Sequence, residues 1–356
     1  MRDDPMDGRR REPARGARLA SACRTVVPVG VAAGVALVAG GAVDVVHNRQ
    51  RAEKQEHAAN TSANSSSRTG LAGKDAAGAQ GGPGYVVGVR TGGTALVVRD
   101  ARDGGETGPA VAAPRGRRFH RVSAARDGSY VVSSYAARRV RFERLDLDDE
   151  GRPEELEEIP GVTVAGVSTA YSDLAVNPDG DRIAYVTYRG AAARVDVVSV
   201  RTGRHKAWAT RLPARVGSLS WAGDTLAFVW NPLRVVGGRR VEARHQVRVL
   251  DTRLPSGDLK ASKAVLDLPQ GGAAVLGRDG RTIVAGHARG GQITLRAFPA
   301  GTRGPAKVVA RFASAGRVAR LDPDRTGGRL LVAGTDGRLY AGGASLPARD
   351  LADAAW

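Results

Sequence analysis

The chain has 356 residues, room for one large domain with attachments, and its 54 basic against 36 acidic residues give a net charge of +18. Only six of the basic residues are lysine, and the arginines are spread along the chain without an aromatic-interleaved cluster, which sets nucleic-acid recognition aside despite the charge. The one cysteine, Cys23, excludes a disulfide framework.

Residues 1–24 carry seven arginines offset by Asp3, Asp4, Asp7 and Glu12, with nothing to build a core, and read as a short basic arm. Residues 25–46 read as a transmembrane signal-anchor helix. Val26 to Val43 contains no charged residue, and at ~1.5 Å per residue it nearly crosses a ~30 Å hydrocarbon layer. Pro28 falls in the first turn, where its missing N–H costs little. Arginines crowd the amino-terminal flank, so the arm is expected in the cytoplasm and the bulk outside the cell. Cleavage near Val43, after the small residues Gly40-Gly41-Ala42, would instead release a secreted form. Residues 47–84 are rich in Asn, Ser, Thr and Gly and read as a disordered linker.

From residue 85 to 356 the pattern is strand, turn, strand. YVVGV, TALVV and PAVAA come first, and five hairpins follow. Their turns fall at Asp127-Gly128, Pro178-Asp179-Gly180, Gly223-Asp224, Asp279-Gly280 and in DPDRTGG from Asp322. Proline presets φ near −65° and glycine supplies a positive φ, so these residues specify tight reversals. The flanking strands, such as Ile183 to Tyr188, are rich in β-branched and aromatic residues. Turn-to-turn spacings in the forties and fifties match propeller blades of roughly 40–50 residues. The fold class is all-β, a β-propeller of six blades, with five to seven compatible. The unit at 85–114 lacks an inner strand, which the residues up to Trp356 could supply.

NPDGDRIAYVTY and LSWAGDTLAF resemble the repeats of TolB-type and WD-repeat-like bacterial β-propellers: an apolar strand, a Pro-Asp-Gly turn, then Ile/Leu-Ala-Phe/Tyr. The resemblance covers about 85–356 and implies a fold, with no activity attached to these motifs. The Gly-His and Trp-Asp dipeptides of true WD repeats are absent. With the apolar segment Val26 to Val43 ahead of the propeller, the chain is expected to be a membrane-anchored extracytoplasmic binding module for a protein, peptide or cell-envelope ligand. The alternative is a lactonase- or esterase-like propeller hydrolase with a metal in the central channel.

No catalytic or cofactor motif accompanies the repeats. The one metal candidate is DLDDEGRPEELE, which places Asp146, Asp148, Glu150 and Glu157 at positions 1, 3, 5 and 12 of a calcium loop. Pro153 and the strand-like flanks fit a solvated acidic connection better. His47, His57, His120, His205, His245 and His287 show no ligand spacing. Trp208, Trp221, Trp230 and Trp356 are expected to pack between blades.

Overall fold

The computed structural model describes residues 84–301, 304–324 and 327–356. The basic arm, the apolar segment Val26 to Val43 and the linker up to residue 83 lie outside the described residues. Among the described residues no helix is long and apolar enough to cross a membrane. The helical content there is a single 3₁₀ turn, Leu259–Ala261, capped by the Asp258 side chain, which accepts the Lys260 N–H at 2.9 Å.

Six sheets follow one another as the blades of a propeller, each ordered from an inner to an outer strand. Blade I takes Leu351–Ala355 as its inner strand, then Tyr85–Arg90, Ala95–Asp100 and Val111–Ala112. The missing inner strand of the first unit is thus supplied by the carboxy-terminal segment, through antiparallel pairing of Gly88 with Ala354. Blades II to VI begin with the inner strands Arg118–Ala124, Leu174–Val176, Ala214–Ala222, Ala273–Leu276 and Val318–Pro323. Closing the ring this way leaves no broken sheet edge at the join.

The apolar strands are wet on neither face because each blade is sandwiched between two others. Ile183, Ala184, Tyr185 and Val186 are consecutive and all 0 % exposed, with alternate side chains serving opposite seams. Ile183 and Tyr185 meet Val140 and Phe142 of blade II, while Ala184 and Val186 meet Leu226 and Phe228 of blade IV. Six such apolar clusters form, one at each blade-to-blade seam. Trp208, Trp221 and Trp356 are buried in these seams, and Trp230 is half-buried against one of them.

The Asp-Gly reversals join inner to second strands as expected. At Asn177-Pro178-Asp179-Gly180 the Gly180 N–H donates to the Asn177 carbonyl at 2.9 Å, with Gly180 at φ 74°. Asn177 Oδ1 accepts the Arg182 N–H at 2.8 Å, which fixes the turn from the side-chain side. Asp127 and Asp279 work alike, accepting the N–H two residues on at 3.0 and 2.9 Å.

Blade IV carries an addition that the repeat pattern does not show. Its second strand, Thr225–Val236, outruns the sheet and folds back as Arg239–Glu242 around Gly237-Gly238. Val235 and Val236 on this projecting hairpin are 69 % and 52 % exposed. At the periphery, the outer strand Pro153–Ala165 of blade II exposes Glu154, Glu155, Glu157 and Glu158, charges that deter strand addition to that edge.

Candidate functional site

The inner strands surround a central channel. On the face where they begin, an open cavity of about 680 Å³ enters the channel between their first halves. The space exists because the inward positions are small: Gly217, Ser218, Gly272, Ala319 and Ala352 all line it. The Asp-Gly turns join the other ends of the inner strands, so Asp127, Gly128, Pro178, Asp179, Gly180, Asp279 and Gly280 belong to the opposite face.

Arg320 forms the floor of the cavity. It starts on the inner strand of blade VI, pairs with Asp353 of blade I, and donates to the carbonyls of Val122 in blade II and Leu174 in blade III at 3.0 and 3.3 Å. One guanidinium therefore ties four blades together across the axis. Its planar fork of donors suits this task, since one cation can serve a carboxylate and several carbonyls at once. Arg121 supports it, donating to the Ser172 and Ala170 carbonyls at 2.6 and 2.8 Å and lying 3.5 Å from Asp353.

Carboxylates on the inner strands also stitch the seams. Asp353 accepts the Val122 N–H at 2.9 Å, and Asp173 accepts the Leu219 N–H at 2.8 Å. Asp322 accepts the Trp356 N–H at 3.0 Å, and Ser220 plays the same part for the Leu276 N–H at 2.8 Å. Each bond satisfies a buried backbone donor that faces the neighbouring blade instead of a strand of its own sheet. Burial pushes the Asp322 carboxyl up to about 6, although Arg320 pulls it the other way. Burial also opposes ionisation of Asp353, but Arg320 and Arg121 outweigh it and hold that carboxyl below its ordinary range.

At the mouth, Arg215 lies 2.7 Å from Glu242 and stacks 3.9 Å over the Tyr171 ring, while His245 Nε2 faces Glu242 at 2.8 Å. Glu242 is the last residue of the projecting hairpin, so that hairpin is pinned to the cavity wall. The other three described histidines lie elsewhere. His120 Nδ1 is 3.1 Å from the Tyr185 hydroxyl, and burial beside Arg121 pushes the imidazole down to about 4. His205 faces the fully buried Asp196 at 2.6 Å in blade III, and His287 stands in blade V. Among the described residues no three His, Cys, Asp or Glu side chains gather as a metal-binding group.

The acidic stretch 146–157 is a hairpin between the two outer strands of blade II. Asp148 Oδ1 accepts the Glu150 and Arg152 N–H groups at 3.0 and 2.7 Å, and Asp146 pairs with Arg144 at 3.2 Å. Glu157 sits opposite Arg144 in the strand register, past the turn that Glu150 and Gly151 form. The residues that sequence reasoning missed are Arg320, Asp173, Asp322 and Asp353. Their one local signal is a carboxylate set in a short apolar strand, as in SDLAV, RLDP and LADAA.

No protein-family model and no curated protein matches the sequence. Among solved structures, TolB from Acinetobacter baumannii is similar over 76% of this chain at 15% identity and a TM-score of 0.43. The chain spans 65% of that TolB chain, just under two thirds. A functionally unknown protein from Desulfotomaculum acetoxidans is similar over 75% of this chain and 95% of its own, at 12% identity and a TM-score of 0.47. An oligogalacturonate lyase in complex with manganese is similar over 72% of this chain and 71% of its own, at 13% identity and a TM-score of 0.41. What the chain has in common with TolB and these other solved structures is a similarity of fold; the chain itself is a six-bladed β-propeller.

Proposed function

We propose that this chain is a binding module: a propeller held outside the cell by a membrane anchor over Val26 to Val43, whose channel mouth receives a protein, peptide or cell-envelope ligand. The observation that supports this reading is the open cavity of about 680 Å³, walled by small residues and floored by Arg320. A recess of this size falls in the range that takes a small ligand or a chain end. Its floor is already committed to structural bonds, so the free donors and the space lie above it.

Two experiments on the full chain in native membranes test the reading. A photocrosslinking residue placed at Ala319 or Ala352, both in the channel wall, should capture a discrete partner. The same residue at Arg201, on the opposite face, should not. Absence of capture from both channel positions, or equal capture from Arg201, would overturn binding at the mouth. External protease on intact cells should remove the propeller and leave a small membrane-bound stub. Full protection would reverse the topology, and a soluble chain starting near Val43 would replace the anchor with a cleaved signal.

A further inference from the structure

Six arginines line the cavity against three carboxylates. Asp353 is taken by Arg320 and Arg121, and Glu242 by Arg215 and His245. Asp173 is engaged by the N–H groups of Leu174 and Leu219. Arg317, Arg338 and Arg349 are left on the rim, their guanidinium groups in no ion pair among the described residues, although the Arg338 backbone N–H donates to Asp336 Oδ1 at 3.2 Å. Arg338 donates to Ser345 Oγ at 2.7 Å. The guanidinium groups of Arg317 and Arg349 have no polar partner among the described residues.

Exposed arginines are ordinarily solvated, but two of these are seated against glycine. A Cβ at Gly337, where φ is +75°, would meet Arg349 Cγ at 2.5 Å. At Gly271 a Cβ would stand 3.5 Å from Arg317 Cδ. Each stem is therefore laid along backbone at the cavity edge. Arg338 and Arg349 also border a second cavity of about 670 Å³, so they stand on the ridge between the two. Cations gathered around a concave opening raise the positive potential over the space they border, even when exposed. A guanidinium fork also matches the paired oxygens of phosphate or carboxylate.

We propose that Arg317 and Arg349, with Arg338 beside them, bind a ligand bearing at least two oxyanion groups, phosphate or carboxylate, at the channel mouth. This rests on the reading of the mouth as the binding site and gives that site a ligand class. The bound anion offsets the excess positive charge of the wall while the small residues beneath leave room for the body of the ligand.

The test is calorimetric titration of the full-length protein in detergent with tripolyphosphate and, separately, with citrate at fixed ionic strength. At least one probe should saturate at one per chain. Arg317→Ala/Arg349→Ala should weaken it by at least about tenfold, the loss expected for a charge-assisted pair. Arg317→Lys/Arg349→Lys, which keeps the charge and loses the fork, should fall between. Arg201→Ala/Arg204→Ala, on the opposite face, should bind as wild type does. Gly337→Ala, which displaces Arg349, should weaken binding with the arginines intact. Saturation by tripolyphosphate alone assigns phosphate, and saturation by citrate alone assigns carboxylate. The proposal is overturned if neither probe saturates, or if the two alanine pairs lose equal affinity. Should the probes fail while Ala319 still crosslinks a partner, the ligand class is wrong and the binding module stands.

Discussion

The carboxylate of Asp322 in blade VI accepts the backbone N–H of Trp356 in blade I at 3.0 Å, beside the seam where the ring closes. Burial raises this carboxyl from 3.8 to about 6 against the pull of Arg320. Below pH 4 both the folded and unfolded chains hold the proton. Between about pH 4 and 6 the unfolded chain has released it and the folded chain keeps it, so stability falls as pH rises. Above 6 the loss is complete, on the order of 1–3 kcal/mol. Asp322→Asn keeps an acceptor for Trp356 and removes the titration. The stability of this variant relative to wild type, from urea melts of the full chain, should increase by that amount from pH 4 to 7. An unchanged difference across the range would remove Asp322 as a source of pH dependence.

His120 acts in the opposite direction over a similar window. Burial and Arg121 lower its imidazole from 6.5 to about 4. On acidification the unfolded chain takes up the proton first, so stability drops as pH falls from about 6.5 to 4, by on the order of 1–3 kcal/mol. His120→Phe loses the contact with Tyr185 at every pH, so its absolute stability is uninformative. Its acid limb should nevertheless be shallower than that of wild type. Equal slopes from pH 7 to 4 would show that His120 takes its proton equally well folded and unfolded.

The two glycine-dependent turns separate strain from collision. Gly180 has φ 74° and open space where a Cβ would stand, so Gly180→Val should cost only the backbone strain, about 1–3 kcal/mol. Gly93 has φ 70° and a Cβ there would lie 2.2 Å from the Phe119 carbonyl of blade II. Gly93→Ala should therefore exceed Gly180→Ala, because the seam between blades I and II must also open. Ile183→Ala, fully buried between blades II and III, should cost about 2–5 kcal/mol. Neutral outcomes for both Gly180→Val and Ile183→Ala would mean that these residues do not hold the blade together.

These turns were legible in the sequence because their chemistry is local. Asn177 to Gly180 carries proline, the side-chain acceptor and the φ-permissive glycine within four positions. The closure by Leu351–Ala355 was legible too, as the complement of a first unit one strand short. The axial network was not. Arg320 meets Val122 and Leu174, far away in the chain, and Arg121 meets Asp353 from the other end of the domain. No spacing rule links such residues, since the ring closes through space and each blade contributes only one or two side chains. The projecting hairpin was missed for another reason. LRVVGGRRVE keeps strand chemistry, so nothing in its composition marks where the blade stops and the excursion begins.

Calcium should leave this protein's melting temperature unchanged. Asp148 spends its Oδ1 on two N–H groups of its own turn, and Glu157 lies along the strand opposite Arg144. A calcium ion would need six to eight oxygens gathered at ~2.3–2.6 Å. Scanning calorimetry with added calcium and with chelator checks this. A rise of several degrees that Glu157→Ala abolishes would require the hairpin to rearrange around an ion.

The Arg320–Asp353 pair offers the sharpest test of the axial floor. Both side chains are largely withdrawn from water, with 12% and 3% of their area exposed. Removing one member of a buried pair leaves the other charge without compensation, which costs about 3–5 kcal/mol. Arg320→Met should show this in full, since it also strips donors from the Val122 and Leu174 carbonyls. Asp353→Asn should cost somewhat less, because Asp322 still stands 3.8 Å from the guanidinium. If the pair acts as a unit, the double variant will be at least about 1 kcal/mol more stable than the two losses added together. Urea melts of the full chain measure all four corners of the cycle at pH 7, where Asp353 is ionised. Strict additivity would show that Arg320 and Asp353 contribute independently, and the floor would then rest on the bonds from Arg320 to blade carbonyls alone.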